Sequence, residues 1–330
     1  MWGGNNVFKK EYFHGDLEKL IAKKYKNIAG IVVVKDSNTI YENYFNGYKR
    51  EDTVHVASVT KSVLSALIGI AIDKGFIESV NQKVLDFFPE YDSTLADSKK
   101  REITIKHLIT MTAPYIYKRE PFKELCSSSD WAKYALDLLG GKDECGTFKY
   151  STAGAHLLSV ILTRATGKTA REFANEYLFE PIGMEQLPNY EMTTATYMNF
   201  IKGKNVCGWV SDPKGNSTGG WGVTLSAVDM ARFGQLYLNY GNWNNKQIIS
   251  REWIEESLQD NSNHYGYLWW LFKDDELAYC AIGDGGNMIC CLPERNMVVA
   301  IASKFMMLPK DRMKLIKNHL LPLLDKEKSI

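Results

Sequence analysis

Residues 56–77 read VASVTKSVLSALIGIAIDKGFI, and every other assignment in the chain depends on them. From Val59 onward the apolar residues Val59, Val63, Leu64, Leu67, Ile68, Ala71 and Ile72 recur three and four apart, the spacing of a helix with one buried face. Ser58 and Lys61 stand three apart at its start, so a helix stacks them on one side with the amine in reach of the hydroxyl. The helix N-terminus adds unpaired N–H groups and a positive dipole end, which favour an alkoxide or a developing oxyanion beside Ser58. This is the outline of an S-x-x-K nucleophile. The plainer reading makes Ser58 an N-cap before an apolar run. Ser211-Asp212-Pro213-Lys214 fits the same pattern in a loop where no helix aligns the pair, so the motif does not decide between the two.

The bulk composition removes several classes of function. The chain has 330 residues, enough for one large or two smaller domains around a sizeable core. Lys+Arg 40 against Asp+Glu 39 gives a net charge of +1, without the broad basic footprint of a nucleic-acid binder. No apolar run reaches the roughly 18 to 20 residues of a membrane span. The N-terminal MWGGNNVFKKEYFHGD lacks the layout of a signal peptide, which points to a cytoplasmic protein unless a leader has been removed. The six cysteines, Cys126, Cys145, Cys207, Cys280, Cys290 and Cys291, are too sparse for a disulfide framework. The histidines show no H-x-x-x-H or H-x-x-E-H spacing, which weakens a metallohydrolase reading.

Taken in order, residues 16–25 predict a short amphipathic helix. The β-branched and aromatic runs 29–35 and 39–45 predict a hairpin turning at Asp36-Ser37-Asn38. Helical segments follow at 103–111 and 131–139, and 153–163 predicts an apolar-faced helix capped by Ser151 or Thr152 and stopped by Gly167. Tyr150 lies just outside that cap, where it serves either as a hydrophobic staple or, beside a nucleophile, as a proton relay. Gly215-Asn216-Ser217-Thr218-Gly219 fits the nucleophile elbow G-x-S-x-G, but a run of glycines separates it from the next helix. An elbow must pass directly from strand to helix, so Ser217 is set aside. Strand-like runs at 267–272, 277–282, 288–292 and 297–303 describe an antiparallel meander, and 311–324 closes the chain as an amphipathic helix.

The expected fold is α+β: an antiparallel sheet built from both termini and flanked by helices, with an inserted, mainly helical subdomain. Residues 1–57 and 225–330 would form the sheet subdomain and 58–224 the helical one, with a cleft between them.

Several segments now line up in one order. HVASVTKS, FKYST with the Leu-rich helix and LFEPIGM after it, ITIKHLITMT, GGWGVTLSAVDMARFGQLYLNYG and GDGGNMICCLPERNMVVAIAS together resemble the serine β-lactamase and D,D-peptidase superfamily, in particular its class C branch. The resemblance implies a β-lactamase/transpeptidase-like fold and a serine hydrolase that forms an acyl-enzyme on Ser58. It implies Lys61 and Tyr150 as a shared general base, the backbone N–H groups of Ser58 and Asn287 as the oxyanion hole, and no cofactor. Its substrate would be a small ester, amide or peptide-like molecule, and weak β-lactam hydrolysis belongs to the same range. The alternative is a binding or sensor protein of the same fold that acylates without turnover.

Two positions depart from the family pattern. Thr152 stands where an Asn amide usually meets the substrate, and a hydroxyl offers one donor instead of two. Asp284-Gly285-Gly286 stands where the family generally has Lys-Thr-Gly or His-x-Gly, and an ionised Asp284 would repel a substrate carboxylate and attract a cation. The plainer roles for Asp284 are capping the turn or pairing with Lys61. No oligomeric state is read from the sequence.

Overall fold

Strand β1 (Ile28–Lys35) is buried along nearly its whole length because it runs inside a sheet covered on both faces. The computed structural model describes residues 14–91, 98–193, 196–274 and 276–326, so most of the N-terminal segment read above for a leader lies outside them. Strand β2 (Asn38–Tyr44) pairs with β1 through a turn in which Asp36 and Ser37 both take positive φ, 47° and 62°. That geometry matches the twist of a two-residue hairpin, and Asn38, expected in the turn, joins the strand opposite Lys35. The C-terminal meander supplies β3 (Trp270–Lys273), β4 (Leu277–Gly283), β5 (Asn287–Leu292) and β6 (Met297–Ser303). The six-stranded sheet runs in the order β2-β1-β6-β5-β4-β3, every pair antiparallel, with the two ends of the chain meeting at β1 and β6.

Alternation along the strands sends side chains to two cores. Ile31, Val33, Val299 and Ile301 face helix α1 (His14–Lys24) and the C-terminal helix α5, residues 312–326. Val32, Val34, Val298 and Ala300 face the other way, toward α2 (Val59–Asp73) and α4 (Ala227–Leu238). Between Val54–His55 and its partner strand Thr224–Leu225 the described chain is mainly helices and loops. Besides α2, the long helix there is α3 (Thr152–Thr166), capped by Ser151 and ended by Gly167 at φ 71°.

Two expectations change. Helix α2 was expected to bury one face, yet Val59 through Ala71 are all buried, because β4 and β5 pack on one side and α3 on the other. Its polar residues are accommodated singly; Ser62 Oγ, for instance, donates to Leu268 O at 2.7 Å. Gly69 leaves the space that the Trp253 indole fills, and a Cβ there would collide with the ring. The strand expected from Tyr267 begins at Trp270 instead, since Leu268 turns at φ 61° and gives its N–H to Ile109 O at 3.1 Å. Among the described residues no helix is long and apolar enough to cross a membrane.

Candidate active site

Ser58 enters the site through a strained turn. Ala57 has φ 49°, a left-handed conformation that costs an alanine about 1 kcal/mol, and Thr60 Oγ1 holds it by donating to Ala57 O at 2.7 Å. Ser58 then begins α2 with helical φ and ψ and no cap hydrogen bond from its side chain. Ser58 thus occupies the N-cap position without its side chain capping the helix. Its Oγ accepts instead from Lys61 Nζ at 3.1 Å.

Lys61 is 1% exposed, and three protein groups surround its amine. Besides Ser58 Oγ, Nζ donates to Gly220 O at 2.7 Å and lies 4.8 Å from the centroid of the Tyr150 ring. The amine thus meets the face of the phenol. A hydrogen bond from the amine to the Tyr150 hydroxyl, which a shared general base would favour, is absent among the described residues. Tyr150 is tilted this way because it stacks on Trp270, 5.9 Å and 17° apart, with Tyr265 edge-on at 6.1 Å. Burial, with Tyr150 beside it, holds the Tyr265 phenol well above its usual pKa, so its hydroxyl stays neutral.

The Gly220 carbonyl is held by features that local sequence did not single out. Asp212 is buried and accepts from the backbone N–H groups of Lys214 and Asn216, both at 2.8 Å, and shares a 3.1 Å hydrogen bond with His156 on α3. Burial pushes its carboxyl up, but the His156 and Asn216 contacts outweigh it and leave the carboxyl below its usual range. Gly219 packs against Ala155 O, and a Cβ on Gly220 would fall 2.5 Å from Thr152 Cγ2 and 3.3 Å from Lys61 Nζ. Both positions need glycine for that close approach. Ser217 of the G-x-S-x-G match is 2% exposed and its Oγ accepts from Arg171 N, so it anchors this loop.

Thr152 presents its methyl to Gly220, while its N–H goes to Glu120. Glu120 is the main residue that sequence reasoning missed. Its carboxylate accepts from Thr152 N at 3.0 Å, Ala153 N at 2.7 Å and Ser151 Oγ at 3.0 Å, and so seals the positive end of the helix that follows Tyr150. Only the fold brings it there, across 32 residues of loop and helix.

The hairpin end between β4 and β5 closes the site. Gly283 approaches so nearly that a Cβ on it would strike Val56 O and lie 3.3 Å from Ser58 N. Asn287 pairs with Gly283 across the ladder and is fully buried; its Nδ2 donates to His55 O and Asp284 O, both at 3.2 Å, and its Oδ1 accepts from Ser303 N at 2.8 Å. Gly285 and Gly286 turn at φ 84° and 89°. Asp284 is exposed, and among the described residues its carboxylate has no hydrogen-bond or ion-pair partner. The suggested pairing with Lys61 is not formed.

The Beta-lactamase family model matches residues 17–321. The chain belongs to the Beta-lactamase family. Among its relatives is the 6-aminohexanoate-dimer hydrolase of Paenarthrobacter ureafaciens, 22% identical over 301 residues, 83% of this chain and 72% of that protein. Solved structures of the same fold include the octameric penicillin-binding protein homologue of Pyrococcus abyssi, with TM-score 0.70, 21% identity, and 93% of this chain and 77% of that one covered. A family VIII carboxylesterase superposes with TM-score 0.63 at 17% identity, covering 88% of this chain and 90% of its own. A protein named as a hydrolase thus stands among the relatives of this Beta-lactamase family member.

His55 gives the site a pH dependence. Burial pushes its pKa from 6.5 down to about 3, and its Nε2 accepts from Gly222 N, so the ring is neutral in the fold. A depressed folded pKa contributes stability that is complete above pH 6.5 and is lost as pH falls toward 3. The loss is about 1.4 kcal/mol per pH unit in that window, or about 2 kcal/mol by pH 5. Urea midpoints at pH 7 and pH 5 for wild type and His55→Gln check this. The variant is expected to lose about 2 kcal/mol less than wild type between the two pH values, and an equal loss would assign the acid sensitivity elsewhere.

Proposed function

We propose that this protein is a serine hydrolase that carries an acyl group on Ser58 and acts on small esters or amides that are neutral or amine-bearing. Ser58 Oγ attacks the carbonyl carbon while Lys61, with Tyr150, accepts the hydroxyl proton. Negative charge developing on the carbonyl oxygen is met by the backbone N–H groups of Ser58 and Asn287, each worth about 3 kcal/mol. Tyr150 passes the proton to the leaving group, which departs with the electrons of the broken C–O or C–N bond. Water then attacks the acyl-enzyme by the same route in reverse and frees Ser58.

The observation that carries this reading is the 3.1 Å contact of Lys61 Nζ with Ser58 Oγ, in a site whose amine has Gly220 O and the Tyr150 ring as its other neighbours. The relatives named as a hydrolase and a carboxylesterase support the reaction class. Support for the substrate preference comes from Asp284, exposed and unpaired among the described residues where the resembled family carries a cation.

Mass spectrometry after exposure to a fluorophosphonate should find one adduct on wild type and none on Ser58→Ala. Steady-state rates on p-nitrophenyl acetate, an amine-bearing p-nitrophenyl ester, nitrocefin and a D-Ala-D-Ala peptide complete the test. The two esters are expected to turn over fastest. Brisk nitrocefin hydrolysis would overturn the substrate preference, and a stable adduct with no turnover of any substrate would make the protein an acylated sensor.

A further inference from the structure

The loop after β6 breaks the ordinary rule for apolar side chains. Met306, Met307 and Leu308 are 39%, 79% and 94% exposed, consecutive, and carried on a turn in which Leu308 itself has φ 51°. Three adjacent large apolar residues held out into water on a strained turn are not explained by packing.

The charge around this tip is one-sided. Lys304 begins the loop and Lys310 ends it, both exposed, and Lys314 follows on the first turn of α5. Lys304 N donates to Asn27 O at 2.8 Å, which sets the loop against the end of α1, where Lys23, Lys24 and Lys26 are exposed as well. None of these six lysines has an ion-pair partner among the described residues. The acids alongside are fewer: Asp284, Asp274, which pairs with Lys317, and Asp311, whose carboxylate caps α5 by accepting from Lys314 N. A groove of about 580 Å³ next to the loop has Phe272, Ile282 and Met288 among its lining residues, with Lys310 and Lys314 beside them.

We propose that this loop docks the protein on an anionic lipid bilayer, with Met306, Met307 and Leu308 inserted at the level of the headgroups and the lysines against the lipid phosphates. An apolar tip ringed by cations has the chemistry of an interfacial anchor: the tip gains by leaving water and the lysines gain from the surface potential. Neither zwitterionic lipid nor a neutral protein surface supplies that second contribution. The position also bears on the cleft. A Cβ on Gly285 would lie 3.0 Å from the Phe305 backbone, so the loop packs on the turn that follows Gly283, the last residue of β4, which abuts Ser58. Docking brings the cleft to the lipid surface, where esters and amides of amphiphiles are concentrated.

Flotation of the full chain with vesicles of phosphatidylcholine alone, and of phosphatidylcholine mixed with phosphatidylglycerol, tests this without any turnover. Binding is expected only to the mixed vesicles, and weaker as salt is raised. The double variant Met307→Asp, Leu308→Asp should lose at least about tenfold in affinity, and Lys304→Glu with Lys310→Glu about fivefold or more per lysine. Ser58→Ala should bind like wild type, which separates this inference from the acyl-transfer reading. Leu308→Trp supplies a second readout, since its emission should move to shorter wavelength on the mixed vesicles. Absence of binding, equal binding to both vesicle types, or unchanged binding of the loop variants would overturn the proposal. So would sedimentation showing that the same variants only dissociate a dimer, which would make the occupant a second copy of the chain.

Discussion

In Lys61→Met, kcat/KM for p-nitrophenyl acetate is expected to fall by about 10³- to 10⁴-fold, while the melting temperature stays within a few degrees of wild type. The two halves of this expectation come from the same geometry. Lys61 is 1% exposed and its amine serves Ser58 Oγ and Gly220 O, so its removal takes away the proposed proton acceptor and would leave the Ser58 hydroxyl un-ionised. Methionine has nearly the same length and volume and fills the space among Ser58, Tyr150 and Thr152 without a cavity. It also relieves the desolvation of a buried polar amine, which offsets the partner lost by Gly220 O. The rate of fluorophosphonate labelling separates this from a binding defect, because the probe needs the nucleophile and little else. Labelling at the wild-type rate would assign the proton to another group, and a collapse of the melting temperature would mean that Lys61 is structural.

What the sequence revealed and what it hid follow from the range of the interactions. Helix α2, the S-x-x-K pair and the cap and stop of α3 at Ser151 and Gly167 rest on contacts within a few residues, and periodicity and capping chemistry read them directly. The meander of β4, β5 and β6 was legible for the same reason: its turns are short, and each partner strand is the next in line. Glu120 and Gly283 were hidden because their partners lie 32 and more than 200 residues away. Neither sits in a local pattern. The full burial of α2 could not be foreseen either, since its second face is covered by strands from the far end of the chain. For Tyr150 the sequence offered a residue without an orientation. Stacking on Trp270, 120 residues on, sets the ring, and it turns the face of the phenol to Lys61.

The hairpin end that meets Ser58 is held from behind by a buried cation, and removing it should affect both stability and rate. Arg312, 3% exposed on the first turn of α5, donates through Nε to Gly286 O at 3.1 Å, and through its terminal nitrogens to Asn27 Oδ1 at 2.7 Å and Lys310 O at 2.9 Å. Asn27 Nδ2 in turn donates to Gly285 O at 2.6 Å, and Ser303 Oγ to Gly286 O at 2.9 Å. Burial pushes the guanidinium down to about 10, with Tyr25 and Asp311 opposing that shift, so it stays charged at neutral pH. Arg312→Met leaves the Asn27 amide oxygen without this donor and weakens the hold on Gly286 O, at about 1 to 3 kcal/mol for each group. The summed loss is expected to be about 3 to 5 kcal/mol, seen as a lower urea midpoint. Because the loosened turn is the one proposed to present a backbone N–H to the attacked carbonyl, kcat should fall by more than KM rises. Arg312→Lys should not restore either quantity, since a single ammonium cannot span Gly286 O, Asn27 and Lys310 O as the planar guanidinium does. A variant that melts early but keeps the wild-type kcat would show that the network supports the fold without positioning the site.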